Sequence, residues 1–366
     1  EMNSVRVFRR HHIDADITVP PDKSITHRAI MLAALATGTS TIRGFLDSGD
    51  CRSTINVMRA LGVDIQRDGR TLNVRGAGMR GLRRPAGVLD AGNSGTTARL
   101  VSGILAGQTF AATLTGDASL SRRPMKRIID PLRRMGVEVS ARDDEWLPMT
   151  IRGSGALNAV DVHSPIASAQ VKSCVLLAGL YARGETAFFE PVVSRDHTER
   201  LLSALGVPVR CTGTRAAVCG PVERIPAFDT SVPGDPSSAA YFAALAAVLP
   251  GSQLTIRGIC VNPTRTGFLS ILMKMGVSVS MQNVREVSGE PVADVHLLGG
   301  LLRNVTVEPN VIPSLIDEVP LLAVIGTQAD GVMEIRGARE LRVKESDRLA
   351  AITQELRRMG ARIIEQ

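Results

Sequence analysis

Aromatic residues are scarce in this chain: one Trp, two Tyr and eight Phe make up 3% of its 366 residues. Platforms for stacking bases are therefore few, and nucleic-acid binding has little beyond charge to rest on. Cysteine is sparse as well. Cys51, Cys174, Cys211, Cys219 and Cys260 are odd in number, scattered and without a Cys-x-x-Cys pair, which argues against a disulfide framework and against structural zinc. Free thiols in a reducing cytoplasm are expected. The six histidines supply no His-x-x-x-His or comparable ligand set, so no protein-bound metal is expected. No apolar run is long enough to span a bilayer. The first residues lead into Arg9, Arg10, His11 and His12 instead of an apolar leader, so no export signal is expected and the chain reads as cytoplasmic.

What is present is positive charge and punctuated helix starts. A net charge of +7 and a pI near 9.6 come from cations spread along the chain, a distribution that suits capture of small, highly anionic substrates in a cleft of one sign. Pro21 to Arg28 (Pro-Asp-Lys-Ser-Ile-Thr-His-Arg) gathers Lys23, Ser24 and Arg28 just before the apolar run Ala29 to Ala36. Asp22 or Ser24 can cap a helix there, its first turn offering free N–H groups and a positive dipole end. Ser24 and Arg28, four apart, can share one face. A capped surface helix with ordinary basic residues explains such a segment equally well when it stands alone. It does not stand alone.

Leu89 to Arg99 forms a glycine, amide and hydroxyl loop ending on a cation. It matches neither the P-loop nor the dinucleotide fingerprint and reads as a non-nucleotide oxyanion cradle. Asp117 to Lys126 sets Arg122, Arg123 and Lys126 before and within a helix, where guanidinium groups can grip a compact anion. Further polar clusters interrupt apolar surroundings at Ser168 to Ser173, Ser194 to Arg200 and Glu340 to Arg348. Asp317 and Glu318 sit between apolar stretches, where burial raises a carboxyl pKa and cations lower it, a balance found in general bases and in structural ion pairs alike.

The chain also repeats itself. Leu61-Gly62-Val63, Met135-Gly136-Val137, Leu205-Gly206-Val207, Met275-Gly276-Val277 and Met359-Gly360-Ala361 each close a helix before a strand, roughly every 70 to 84 residues. A short strand ending in a turn precedes each helix, as in Thr41 to Gly44 and Thr255 to Gly258. Glycine fits a left-handed helix cap, and five related strand–helix–strand units of this length suit a duplicated α/β fold of two domains.

With Pro21-Asp22-Lys23-Ser24 and Arg28, Gly92-Asn93-Ser94-Gly95-Thr96, Arg123-Pro124-Met125, Ser168-Ala169-Gln170 and Lys344-Glu345-Ser346-Asp347-Arg348 in this order, the chain resembles the 5-enolpyruvylshikimate-3-phosphate synthase family from about residue 4 onward. The resemblance implies a mixed α/β (α+β) fold, a two-domain inside-out α/β barrel of repeated βαβαββ units. One domain would comprise 1-20 with 233-366 and the other 21-232, with hinges at the two crossings. It implies transfer of the enolpyruvyl group from phosphoenolpyruvate to the 5-hydroxyl of shikimate 3-phosphate, without a cofactor, in a monomer that binds neither nucleic acid nor membrane. Shikimate 3-phosphate would be held by Lys23, Ser24, Arg28, Ser168, Ala169, Gln170, Arg195, Asp317 and Lys344. Lys23, Gly95, Arg123, Gln170 and Arg348 would line the phosphoenolpyruvate side. Asp317 would accept the hydroxyl proton, and Glu345 would protonate the methylene carbon, with Lys23 or Lys344 as competitors.

Departures from the family pattern carry their own expectations. The family continues past Lys-Glu-Ser-Asp-Arg through a sixth unit, whereas Gln366 lies 18 residues after Arg348; a sixth unit is expected to be missing and catalysis by these residues alone weak or absent. Ala169 stands where some members carry a second serine, and Arg195 replaces a neutral contact, both fitting a bacterial branch. Gly95, at a position where insensitive members carry alanine, implies inhibition by glyphosate. The sister UDP-N-acetylglucosamine enolpyruvyl transferase is the alternative enzyme, but it opens with Lys-Asn and uses a loop cysteine, while Lys23 is followed by Ser24 and no cysteine lies between Cys51 and Cys174. A non-catalytic anion- or nucleic-acid-binding module is the alternative of another class.

Overall fold

The computed structural model describes residue 6 and residues 8–366. Its α-helices are α1 (Lys23–Leu35), α2 (Gly49–Ala60), α3 (Gly95–Ala106), α4 (Lys126–Arg134), α5 (Ala169–Gly179), α6 (His197–Ala204), α7 (Pro236–Val248), α8 (Gly267–Lys274), α9 (Val319–Gly326) and α10 (Arg348–Arg358). Three sheets between residues 36 and 231 follow one plan. In each, one inner strand (Ala36–Arg43, Ala111–Thr115 or Ala182–Phe189) takes one or two short parallel partners on one side and an antiparallel pair on the other. Ile225–Pro226 and Asp229–Ser231 return to the strand Ala36–Arg43, so the end of this region pairs with its beginning. Among the described residues every sheet stays open and none closes into a barrel.

The sheets lie around helices that are apolar on nearly every side. α1 buries all residues from Ile25 to Leu35, and α3 and α5 are almost as fully enclosed, the pattern of helices surrounded by other elements. Close approach makes this possible. Gly103 of α3 lies against Cys174 of α5, where an added Cβ would sit 2.2 Å from the Cys174 carbonyl oxygen. The repeated glycines behave as their spacing suggests: Gly62, Gly136, Gly206, Gly276 and Gly360 have φ of +77 to +109°, the left-handed cap that glycine adopts without a Cβ penalty. After Gly360, however, residues 361–366 form no strand. Isolated extended chain is not stable without a ladder partner, and this segment pairs with none among the described residues.

Two hydrophobic cores result. The larger runs from Ile25 to Val232 and includes Cys260. The second is built from residues between Ala239 and Leu341, with Ile13, Ala15, Ile17 and Val19 packed against it, because the strand Asp14–Ile17 pairs in parallel with Gln253–Cys260. The chain therefore passes between the cores twice. The two passages are tied by backbone bonds, Asp22 N–H to the Pro233 carbonyl at 2.8 Å and Asp235 N–H to the Pro20 carbonyl at 2.9 Å.

Candidate active site

Six helix starts converge between the two cores. From the larger core come the first turns of α1, α3 and α5, capped by Asp22, Ser94 and Ser168 through bonds to the amides of Ile25, Thr97 and Val171; from the second come the starts of α7, α9 and α10. Asp22, not Ser24, is thus the cap of α1. The starts of α1 and α3 are locked to α2 by a buried hydroxyl chain, in which His27 Nδ1 meets Thr54 Oγ1 at 2.6 Å, Thr54 meets Thr97 at 2.7 Å and Thr97 meets Ser94 at 2.7 Å. Burial pushes His27 down to about 3, so it stays neutral and serves the scaffold.

The space they enclose is a cavity of about 670 Å³, large enough for two small substrates. Of the residues singled out in the sequence, Lys23, Ser24, Gly95, Arg123, Ser168, Ala169, Gln170, Arg195, Asp317, Lys344, Glu345 and Arg348 all line it. Arg28 does not. It is 4% exposed behind the wall, donating from Nε to Thr198 Oγ1 at 2.7 Å, from Nη2 to Ser173 Oγ at 2.8 Å and from Nη1 to the Ser24 carbonyl at 3.0 Å. Four-residue spacing does share a face with Ser24, but Arg28 lies one turn deeper, where hydroxyls from α5 and α6 capture it.

Within the cleft, arginines from both halves converge on the carboxylates of the second. Arg195 Nη2 donates to Asp317 Oδ2 at 2.5 Å and Arg348 Nη1 to Asp317 Oδ1 at 3.0 Å. Burial would raise the Asp317 pKa, yet Arg195, Lys344 and Arg348 outweigh it and hold the carboxyl well below the usual range. Burial first, and neighbouring cations with it, pull Lys344 below its ordinary value despite Asp317. Glu345 accepts from Arg348 Nη2 at 2.6 Å and Arg123 Nη1 at 3.3 Å and is likewise held low, burial notwithstanding. Arg123 is fixed further by Asn93 Oδ1 at 2.6 Å and Ser119 Oγ at 3.2 Å.

Neutral and buried groups set these side chains in place. Gln170 accepts from Arg99 Nη1 at 2.5 Å and donates to Thr96 Oγ1 at 3.1 Å. Arg99, which also donates to the Pro124 carbonyl at 3.1 Å, fills the space beside Gly95. The loop bearing Arg195 is anchored by Lys172, 2% exposed, whose ammonium meets Glu190 at 2.8 Å, Glu199 at 2.9 Å and the Ser194 carbonyl at 3.1 Å. At the passages between the cores, buried Arg265 joins two caps, Asp22 at 2.7 Å and Asp235 at 2.8 Å. Arg127 and Arg265 drew no attention in the sequence, Glu318 stood out only beside Asp317 as a carboxylate between apolar stretches, and Glu340 only as the start of a mixed cluster; all four line the cavity. For Arg265 no local pattern could have signalled it, since its partners are over 200 residues away and 30 residues away.

No group of three or more His, Cys, Asp or Glu side chains among the described residues could hold a metal ion. No helix there is long and apolar enough to cross a membrane. Comparison with known proteins then decides the family, because the family model for EPSP synthase (3-phosphoshikimate 1-carboxyvinyltransferase) matches residues 8–366. The chain belongs to the EPSP synthase family.

A 3-phosphoshikimate 1-carboxyvinyltransferase of Bacillus thuringiensis subsp. konkukian is 47% identical over 352 residues, covering 96% of this chain and 82% of the relative. One from Geobacillus kaustophilus is 50% identical over 348 residues, 95% of this chain and 81% of the relative. The solved EPSP synthase of Acinetobacter baumannii superposes with a TM-score of 0.85 at 42% identity, over 94% of this chain and 78% of that one. An enolpyruvyl transferase, NikO of Streptomyces tendae, shares the fold at 18% identity and a TM-score of 0.68, over 89% and 75%. This member of the EPSP synthase family is accordingly an enolpyruvyl transferase of the shikimate pathway with a mixed α/β fold.

Proposed function

We propose that the cleft binds shikimate 3-phosphate and phosphoenolpyruvate and moves the enolpyruvyl group onto the 5-hydroxyl of the acceptor, releasing phosphate. The observation that carries this reading is the convergence of capped helix starts with Lys23, Arg123, Arg195, Lys344 and Arg348 on one cavity, a site built for two polyanions. Ser24, Ser168, Ala169 and Gln170 would hold the acceptor with Lys23, Arg195, Asp317 and Lys344, while Gly95, Arg123, Gln170 and Arg348 would face the donor with Lys23. Arg28 would support them from beneath α1.

The ion pairs across the cleft give the reaction its logic. The acceptor's phosphate competes with Asp317 for Arg195, and the donor competes with Asp317 and Glu345 for Arg348 and Arg123. Each anion that binds removes a cation from a carboxylate and restores its basicity. Asp317 then takes the proton of the 5-hydroxyl as its oxygen attacks the donor's C2, and Glu345, with Lys23 or Lys344 as competitors, delivers a proton to the methylene carbon. Loss of phosphate, with return of a methyl proton, regenerates the double bond. Cations opposing phosphate charge throughout stabilise the intermediate.

The two cores support two domains, 1-20 with 233-366 and 21-232, hinged at the paired crossings and closing on substrates. The same reading makes the protein a cytoplasmic monomer without affinity for nucleic acid, and glyphosate a competitor of phosphoenolpyruvate. Acceptor choice tests it. In long incubations followed by ³¹P NMR, inorganic phosphate should leave phosphoenolpyruvate when shikimate 3-phosphate is present and not when UDP-N-acetylglucosamine replaces it; the reverse preference would assign the chain to the sister activity.

A further inference from the structure

Beside the pairs that substrates would dismantle lies another whose groups have no expected ligand. Arg127, on α4 one turn beyond Arg123, directs both terminal nitrogens at Glu340: Nη1 to Oε2 at 3.0 Å and Nη2 to Oε1 at 3.3 Å. The partners belong to opposite cores, 213 residues apart in the chain. Arg127 is 44% and Glu340 32% exposed, and both border the cavity. Glu340 sits in the 3₁₀ turn Arg339–Val343, which leads directly into Lys344 and Glu345, and Leu341 of the same turn is buried in the second core. A planar fork on a carboxylate fixes direction as well as distance.

We propose that the Arg127–Glu340 pair is a latch across the cleft mouth, which positions Glu345 and Arg348 against Arg123 on the donor side. It rests on the reading of two closing domains given above. Arg123–Glu345 and Arg195–Asp317 yield their cations to substrate, but the latch keeps its own and so survives in the loaded enzyme. Arg127 and Glu340 are therefore positioning residues and not catalytic ones. Being half-exposed, neither needs its charge for folding.

The test is a charge swap across the gap, with Arg127→Glu, Glu340→Arg and the double variant compared for KM of phosphoenolpyruvate and for calorimetric affinity toward shikimate 3-phosphate. Each single reversal sets like charges face to face and should raise KM for phosphoenolpyruvate about tenfold, with acceptor affinity unchanged. The double variant should return to within about threefold of the parent, a rescue that a role confined to one core cannot give. Additive losses in the double variant, or single reversals with the parent's KM, would overturn the latch. Small-angle scattering of the parent, with and without substrates, separately tests closure: a radius of gyration that never contracts counts against the hinged-domain reading, whatever the swap shows.

Discussion

Replacing Asp317 by Asn should leave shikimate 3-phosphate bound at least as tightly as before while lowering product formation by about a thousandfold relative to the parent chain. The two effects have one origin. Asp317 is the carboxylate that Arg195 and Arg348 grip from two sides, so an amide there would loosen Arg195 for the acceptor's phosphate and Arg348 for the donor. An amide could not accept the hydroxyl proton, however, so the proposed general-base step should be lost. Calorimetry reads the first effect and ³¹P NMR the second. Weakened binding with turnover intact would mean that Asp317 organises cations and carries no proton. The depressed Asp317 pKa has a stability corollary of definite sign. A carboxyl held below its unfolded value contributes stability that is complete above the ordinary carboxylate range and fades as pH falls toward the folded value, so the Asn variant should show a flatter loss of stability on acidification.

Changing Gly95 to Ala should weaken inhibition by glyphosate about a hundredfold, with a smaller rise in KM for phosphoenolpyruvate. The added methyl would lie 2.9 Å from Arg99 Nη1 and 3.5 Å from Arg123 Nη1. Arg99 is not free to swing away, because Gln170 and the Pro124 carbonyl hold its other contacts. Its displacement therefore carries into Gln170 and narrows the donor side, where the longer inhibitor has less room than the substrate. Inhibition curves for the two proteins settle the matter: unchanged inhibition would remove Gly95 from the proposed donor wall.

The parts of this molecule that were legible in its sequence are those whose physics is local. A cap followed by a cation, as in Asp22 with Lys23, marks a helix start wherever it occurs, and a glycine such as Gly136 after an apolar helix marks a left-handed end. Their recurrence at a steady spacing made the repeated units readable. Arg28 shows the limit: the four-residue interval gives its face, but Thr198 and Ser173, far along the chain, decide its depth. The same holds for Asp317, whose arginine partners come 122 residues before it and 31 after. Arg265 was illegible, because it acts only through caps brought to it by the fold. The expected strand after Gly360 failed for a related reason, since helix caps form alone whereas strands require a neighbour.

The central claim is that the acceptor's phosphate and the donor's anionic groups share one cleft. It is tested most directly by titrating this chain with shikimate 3-phosphate in a calorimeter, first alone and then with saturating glyphosate. The account predicts a saturable one-to-one isotherm that tightens when glyphosate is present, because shikimate 3-phosphate draws Arg195 and glyphosate draws Arg348 off the same carboxylate, Asp317, so each ligand eases the entry of the other. No saturable heat in either titration would contradict it.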